Sequence, residues 1–246
     1  MNVACVFAHQ DDEMRCLGTL QRLAEAGATI SFVCVTNGNK GLAFDEGSSD
    51  ERAAKVRDTE MRSVAEYFGA TYHCLGFDDG VLFDGPDLRR KLIVVLRQVR
   101  AQVIITHWTS EYNDDHVVTG KAVTDAALFT NLASFVPESA PLAEVPRIFY
   151  VNPGEGYGFE ATHFVALSDQ HAKHKAELIR MHDSQMKVMR QLKGHDYADE
   201  MADEDRRQGA RLMVDYAESF RPCLAERRIP WPTDMPGPLP EAGEPT

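Results

Sequence analysis

The chain lacks the features that mark secreted and membrane proteins. Its five cysteines are scattered, without a Cys-x-x-Cys pair, which argues against a disulfide framework and fits a reducing compartment. No segment approaches the roughly 20 apolar residues that a membrane-spanning helix needs, and the first residues carry neither a basic start nor a long apolar stretch. We therefore predict a cytoplasmic protein without a membrane span.

Positive charge is also scarce. The sequence has 38 acidic and 26 basic residues, and its formal net charge of −12 repels the phosphates of nucleic acids and anionic lipids. Part of this excess lies in residues 196–205, for which we predict a solvated helix face or loop. A phosphate-binding P-loop and a glycine-rich dinucleotide fingerprint are both missing. Nucleic acid is therefore not an expected partner.

Short β-branched runs alternate with longer amphipathic segments. The predicted strands are residues 3–8, 30–36, 71–75, 103–106, 147–151 and 163–167, and the predicted helices are residues 13–26, 52–68, 88–99, 117–132, 169–192 and 206–220. This alternation is typical of α/β proteins, in which a mostly parallel sheet carries helices on both faces and ligands bind at the carboxyl ends of the strands. We expect one domain over residues 1–228 and a proline-rich tail, either extended or disordered, over residues 229–246.

One short segment concentrates titratable groups. Residues 8–13 read AHQDDE and follow the first predicted strand directly, where three crowded carboxylates repel each other unless a cation is present. His9 and Asp12 are suitable ligands for a catalytic zinc ion, which usually has three protein ligands and an open water position. The same acids would also stabilise the first turn of a helix. This segment alone therefore leaves a metal site and a helix cap as equal alternatives.

A second segment favours the metal site. The fourth predicted strand runs into a loop after which His116 begins a helix, so His116 also lies at the carboxyl end of a strand and can meet His9 and Asp12. Asp115 is suited to orient an imidazole as an outer partner of the site. A helix cap with an incidental histidine remains the alternative for residues 113–116. One shared metal, however, explains both segments with a single assumption.

Both segments resemble the signatures of a known family. AHQDDE is similar to the AHPDDE signature of the LmbE-like, PIG-L-type de-N-acetylases, and NDDH followed by Val-Val-Thr-Gly resembles their second signature, HPDH ahead of a helix containing Thr-Gly. Weaker matches follow in the family's order at residues 36–38, 57–60, 75–80, 182–185 and 216–220. The resemblance covers residues 3–220. It implies a Rossmann-like, LmbE-like fold and hydrolysis of an N-acetyl group, commonly from an amino sugar.

The resemblance also implies roles for individual residues. Asp11 matches the family's general base, and Asp115 matches the acidic residue that precedes the last metal ligand. The metal ligands would be His9, Asp12 and His116. We expect Asp11 to remove a proton from the attacking water and then to hand it to the departing amine.

Two positions depart from the family pattern, and two others are candidates for substrate binding. Gln10 replaces the signature proline, and Asn113 replaces a histidine that many members use to bind the oxyanion or to protonate the amine. An amide can still donate a hydrogen bond to an oxyanion, but it cannot deliver a proton at neutral pH. We predict Arg57 and Asp79 as substrate-binding residues; the alternatives are a surface ion pair between Arg57 and Glu60, and a simple turn at Asp79.

We therefore expect a zinc-dependent hydrolase that removes an N-acetyl or similar N-acyl group from a small amino-sugar substrate. Fe²⁺ or another divalent metal is an alternative to zinc, because two imidazoles and a carboxylate suit several metals. Two other functions stay open: a metal- and sugar-binding homologue without efficient catalysis, and an amidase that acts on a non-sugar or thiol-conjugate amide. The resemblance also implies that the chain is able to form homo-oligomers.

Overall fold

The computed structural model describes residues 1–154 and 157–230. Its strands form one seven-stranded sheet in the order β3-β2-β1-β4-β5-β7-β6. Strands β1 to β5 are parallel to one another, whereas β7 runs antiparallel to both β5 and β6. The strands are β1 (Asn2–Phe7), β2 (Thr29–Thr36), β3 (Thr71–Phe77), β4 (Val103–Thr106), β5 (Arg147–Val151), β6 (His163–Leu167) and β7 (Tyr216–Pro222).

Helices cover both faces of the sheet, which confirms the predicted α/β class. Successive residues of β1 pack against opposite faces, because Val3, Cys5 and Phe7 belong to one apolar cluster and Ala4 and Val6 to the other. A short 3₁₀ helix, Asp12–Arg15, precedes α1. The α-helices are α1 (Leu17–Glu25), α2 (Asp50–Tyr67), α3 (Pro86–Gln98), α4 (Asp114–Ala127), α5 (Asp169–Ile179), α6 (Asp183–Lys193) and α7 (Tyr197–Ala210). Among the α-helices of residues 1–154 and 157–230, α3 and α4 contribute buried residues to the second cluster, and the other five contribute to the first.

The sequence-based elements are wrong at two places in the last third of the chain. The predicted helix over residues 169–192 is divided into α5 and α6, and its break falls at His182, whose fully buried side chain bonds to Glu13. The predicted helix over residues 206–220 does not exist as such, since α7 ends at Ala210 and β7 follows from Tyr216. The acidic segment 196–205 lies mostly within α7, and it is not entirely a solvated face, because Glu204 and Asp205 are buried.

Strand β7 could not be predicted from hydrophobic alternation, because its polar and apolar residues are buried together. Ala217, Glu218, Ser219 and Phe220 are all buried, so the alternation that marks a half-exposed strand is absent. The carboxylate of Glu218 accepts hydrogen bonds from the backbone N–H groups of Gly18 at 2.9 Å and Thr19 at 2.7 Å, in the first turn of α1. A buried acid on β7 therefore satisfies unpaired donors of a neighbouring helix.

Buried Lys175 links α5 to α7 and β7. Its ammonium group lies 2.8 Å from Asp205 Oδ2 and 2.7 Å from Glu218 Oε1, and its side chain is 2% exposed. We expect Lys175→Met to lower the free energy of unfolding by about 3–5 kcal/mol, because it leaves two buried carboxylates without their cation. Urea unfolding of the variant should be compared with that of Lys187→Met, which removes an exposed partner of Asp183 and should leave stability unchanged. Equal unfolding midpoints for the two variants would contradict this account.

The fold bears on two further sequence predictions. No helix among residues 1–154 and 157–230 is long and apolar enough to cross a membrane. Most of the predicted tail, residues 231–246, lies outside the described residues. The division into one domain over residues 1–228 and a tail stays a proposal.

Candidate active site

The loops after β1 and β4 meet at the carboxyl edge of the sheet because these two strands are neighbours. The first loop carries residues 8–13, and the second leads into α4. Gly120 permits a close approach of α4 to β4, since a Cβ atom at this position would lie 2.5 Å from the carbonyl oxygen of His107. The first turn of α4, with His116, is thereby held against the loop after β1.

His9, Asp12 and His116 come together at this edge. Their ligand atoms all lie within 4.8 Å of one another. The distance between His9 Nδ1 and His116 Nε2 is 3.1 Å, and the two oxygens of Asp12 lie 3.2 Å from His116 Nε2 and 3.3 Å from His9 Nδ1. Asp12 also accepts a hydrogen bond from the backbone N–H of His9 at 2.7 Å, which fixes the carboxylate. Two imidazole nitrogens and a carboxylate therefore converge on one point.

The second ring nitrogen of His9 faces two further acids. His9 Nε2 lies 3.1 Å from Asp79 Oδ1 and 3.2 Å from Asp115 Oδ2. Asp115 also accepts hydrogen bonds from the backbone N–H groups of Gly80 at 2.7 Å and Leu82 at 3.0 Å. Asp115 thus ties the loop after β3 to the start of α4, and this loop brings Asp79 to the site.

Glu111 and His107 both contact His116, and His107 Nε2 also lies 3.2 Å from Asp12 Oδ2. Glu111 Oε2 lies 2.9 Å from His116 Nδ1, and Glu111 Oε1 lies 3.3 Å from His107 Nδ1. The rings of His107 and His116 stack with their centroids 4.0 Å apart and their planes inclined by 15°. His107 Nε2 accepts a hydrogen bond from the backbone N–H of Ala8 at 3.0 Å.

Asp11 occupies a strained backbone position beside the three converging residues. Its φ of 137° lies in a region that L-residues seldom adopt, at a typical cost of about 1–3 kcal/mol. The backbone N–H of Asp11 donates to Glu13 Oε2 at 3.0 Å, and Arg57 Nη2 donates to Asp11 Oδ1 at 2.6 Å. Burial raises the pKa of Asp11 to about 6, although the positive charge of Arg57 opposes this shift.

Arg57 lies behind Asp11 and is 2% exposed. The predicted ion pair between Arg57 and Glu60 exists, at 3.4 Å, but it is not a surface pair. Glu60 accepts hydrogen bonds from both the backbone N–H and the hydroxyl of Ser184, each at 2.7 Å. The start of α6 therefore fixes Glu60, and Glu60 together with Asp11 fixes the guanidinium group.

Three other side chains have contacts that bear on the sequence predictions. Gln10, at the position of the signature proline, is fully buried and donates to the carbonyl of Thr36 at 2.9 Å. Asn113 caps α4, since its Oδ1 accepts from the backbone N–H of Asp115 at 2.9 Å. His182 Nε2 lies 2.7 Å from Glu13 Oε1, so Glu13 joins the active-site loop to the start of α6.

The electrostatics of this edge favour a positive charge among the three converging residues. Burial alone would lower the pKa of His116, but Asp12 and Glu111 raise it to about 9. The pKa of His9 is also raised despite its burial, because Asp115, Asp12 and Asp79 surround it. The acids that stabilise a charged imidazole would equally stabilise a metal ion at the same nitrogens. The donor set of two imidazoles and one carboxylate is one that zinc and several other divalent metals accept.

The structure thus brings most of the predicted site residues to one edge of the sheet. Asp11, Asp115 and Asp79 border the group formed by His9, Asp12 and His116, whereas Arg57 contacts this group only through Asp11. Sequence reasoning missed Glu111 and the bond between Glu13 and His182. The sequence signal for Glu111 is a carboxylate five residues before His116. The contact between Glu13 and His182 joins residues 169 positions apart, so no local pattern marks it.

The chain is similar in sequence to known deacetylases. The family model described as PIG-L: GlcNAc-PI de-N-acetylase matches residues 4–127, which contain both signature segments. A diacetylchitobiose deacetylase of Thermococcus kodakarensis is 29% identical over 188 residues, covering 74% of this chain and 69% of the relative. A 1D-myo-inositol 2-acetamido-2-deoxy-alpha-D-glucopyranoside deacetylase of Kribbella flavida is 27% identical over 180 residues, and the match spans only 59% of that relative's length.

A solved structure shows the same fold. The N,N'-diacetylchitobiose deacetylase of Pyrococcus horikoshii, solved with an inhibitor, superposes with a TM-score of 0.78 and covers 90% of this chain and 83% of that one. Its sequence identity is 23%, so this similarity bears on the fold alone.

Proposed function

The chain belongs to the GlcNAc-PI de-N-acetylase (PIG-L) family, and from this membership we propose that it is a metal-dependent hydrolase that removes an N-acetyl or similar N-acyl group from a small amino-sugar substrate. The observation that carries the proposal is the position of Asp11, a buried carboxylate that borders three converging metal-type donors without being one of them. A protein that only binds sugar has little use for such a group. Two relatives with deacetylase names support the substrate class.

The metal would be held by His9, Asp12 and His116, and we propose zinc, with Fe²⁺ as the alternative. When bound, it would supply a Lewis acid that polarises the acyl carbonyl and lowers the pKa of a water molecule from near 16 to about 7. The side chains of Asp115 and Asp79 hold the far nitrogen of His9, which leaves His9 Nδ1 for the metal.

Asp11 is the proposed general base and acid. Arg57 holds its Oδ1, and we assign the other oxygen to the attacking water. Asp11 removes one proton as the oxygen of the water bonds to the acyl carbon. It then returns that proton to the amine nitrogen as the C–N bond breaks, so that a free amine and a carboxylic acid form, and the acid loses its remaining proton to solvent. The strained backbone of Asp11 and the Arg57 contact keep the carboxylate in place throughout.

Asn113 and two charged residues complete the proposal. The oxygen of Asn113 caps α4, so we assign its amide hydrogens to the oxyanion. Asp79 remains our candidate for a substrate hydroxyl, because its side chain keeps 17% of its surface exposed beside His9. The burial of Arg57 against Asp11 favours an effect on the substrate through that carboxylate over direct contact with a sugar.

Metal removal provides the direct test of this function. Purified protein is expected to carry about one divalent metal ion per chain and to release acetate from N-acetylglucosamine, diacetylchitobiose or an N-acetylglucosaminyl-inositol. A chelator should abolish acetate release, and added Zn²⁺ or Fe²⁺ should restore it. Elemental analysis and an acetate assay on the same samples measure both quantities. Bound metal without hydrolysis of any N-acyl substrate would favour a binding homologue, and folded protein without metal would refute the proposal.

A further inference from the structure

We propose that Glu111 is a positioning residue of the metal site, whose carboxylate holds His116 in the tautomer and ring orientation that turn Nε2 toward His9 and Asp12. The inference rests on the proposed metal-dependent function, in which His116 is a ligand. It assigns a role to a residue outside both signature segments.

The contact between Glu111 and His116 determines where the imidazole proton lies. Glu111 Oε2 lies 2.9 Å from His116 Nδ1, and the side chain of Glu111 is 1% exposed, so water does not compete for it. An ionised carboxylate only accepts hydrogen bonds, so a neutral, metal-binding His116 keeps its proton on Nδ1 and has its lone pair on Nε2. That lone pair faces the point where His9 Nδ1, at 3.1 Å, and Asp12 Oδ1, at 3.2 Å, also converge.

His107 keeps Glu111 from rotating. The backbone N–H of Ala8 donates to His107 Nε2 at 3.0 Å, so the proton of a neutral His107 lies on Nδ1. This nitrogen is 3.3 Å from the second oxygen of Glu111. The rings of Phe7 and His107 pack in a T-shaped arrangement, with a centroid distance of 5.0 Å and an interplanar angle of 84°. Glu111 therefore bridges two stacked imidazoles, one of which is held from β1.

A second metal site is the competing explanation, because His107, Glu111 and His116 also form a group of ligand-type atoms. Their geometry argues against it. The two rings are stacked with their centroids 4.0 Å apart and their planes inclined by only 15°, so their in-plane nitrogen lone pairs lie in two separate, nearly parallel planes and do not converge on one ion. The proton on His107 Nδ1 would moreover have to leave. A carboxylate that accepts the Nδ1–H of His116 and lies 3.3 Å from His107 Nδ1 requires no such rearrangement.

Zinc affinity of the Glu111→Gln variant tests the inference. Zn²⁺ dissociation constants should be measured by competition with a chromogenic chelator, and the Co²⁺-substituted proteins should be compared by visible absorption. We expect zinc affinity to fall about 10- to 100-fold, as is typical when the partner behind a histidine ligand is lost, and the cobalt spectrum to change. Asp114→Asn is the matched control, because exposed Asp114 lies three residues after Glu111 and the variant removes the same charge. It should retain the wild-type spectrum and nearly the wild-type affinity.

The outcomes separate this inference from the function on which it rests. Equal zinc affinities for Glu111→Gln and Asp114→Asn, with an unchanged cobalt spectrum, would overturn the positioning role and leave the metallohydrolase intact. Folded wild-type protein that binds no zinc or cobalt would overturn both. If Glu111→Gln does not fold, Glu111→Asp provides the same comparison, because its shorter side chain keeps the charge but cannot span both rings.

Discussion

Replacing Asp11 with asparagine is expected to lower kcat by roughly 10²- to 10⁴-fold, the range that a positioned proton-transfer group contributes, while metal content stays near that of the wild type. Asparagine has nearly the same shape, but it cannot accept a proton from water at neutral pH. Asp11 borders the converging ligands and is not one of them, so the metal should remain. Arg57 keeps its contact with Glu60, so the variant should still fold.

The measurement is steady-state acetate release with metal analysis and thermal unfolding of the same preparation. Asp114→Asn again controls for the loss of one negative charge near the site. Turnover within tenfold of the wild type in a metal-loaded Asp11→Asn variant would remove the assignment of Asp11 as the base. Loss of the metal in this variant would show instead that Asp11 is a ligand.

Replacing His116 with alanine is expected to remove the metal and, with it, all measurable acetate release. The variant loses the Nε2 donor that faces His9 and Asp12, and two side chains seldom hold a catalytic zinc ion. We expect zinc affinity to fall by more than the roughly 100-fold that marks the loss of an outer partner. The deletion should also leave Glu111 without one of its two imidazole contacts, which makes a lower unfolding temperature an accompanying result.

Elemental analysis, with the acetate assay, decides this prediction. His195→Ala is the control. His195 is exposed, and it contacts Glu200 at the start of α7. It should bind and hydrolyse like the wild type. If the His116→Ala protein still carries a full equivalent of metal, the metal does not bind at His9, Asp12 and His116.

The amino-acid sequence by itself determined the class of the fold and the placement of its first six strands. Strands β4, β5 and β6 agree with the predicted bounds residue for residue, and in β4 and β5 every residue except Arg147 is buried. The sequence also showed the candidate site. It places His9, Asp11 and Asp12 directly after β1, and Asp115 and His116 after β4, and crowding charged groups at the ends of buried strands costs free energy unless a partner is present. These features are local, and each is expressed within a few consecutive residues.

The tertiary structure alone decided which distant side chains complete the site. Arg57 on α2 lies against Asp11, Glu13 reaches His182 ahead of α6, and β7 enters the sheet between β5 and β6 with Glu218 pointing at α1. None of these contacts leaves a pattern in the sequence, because a buried polar residue is recognisable only through its partner. Their existence depends on the order of the strands and the packing distances of the helices. Those quantities follow from burying both faces of one sheet at once.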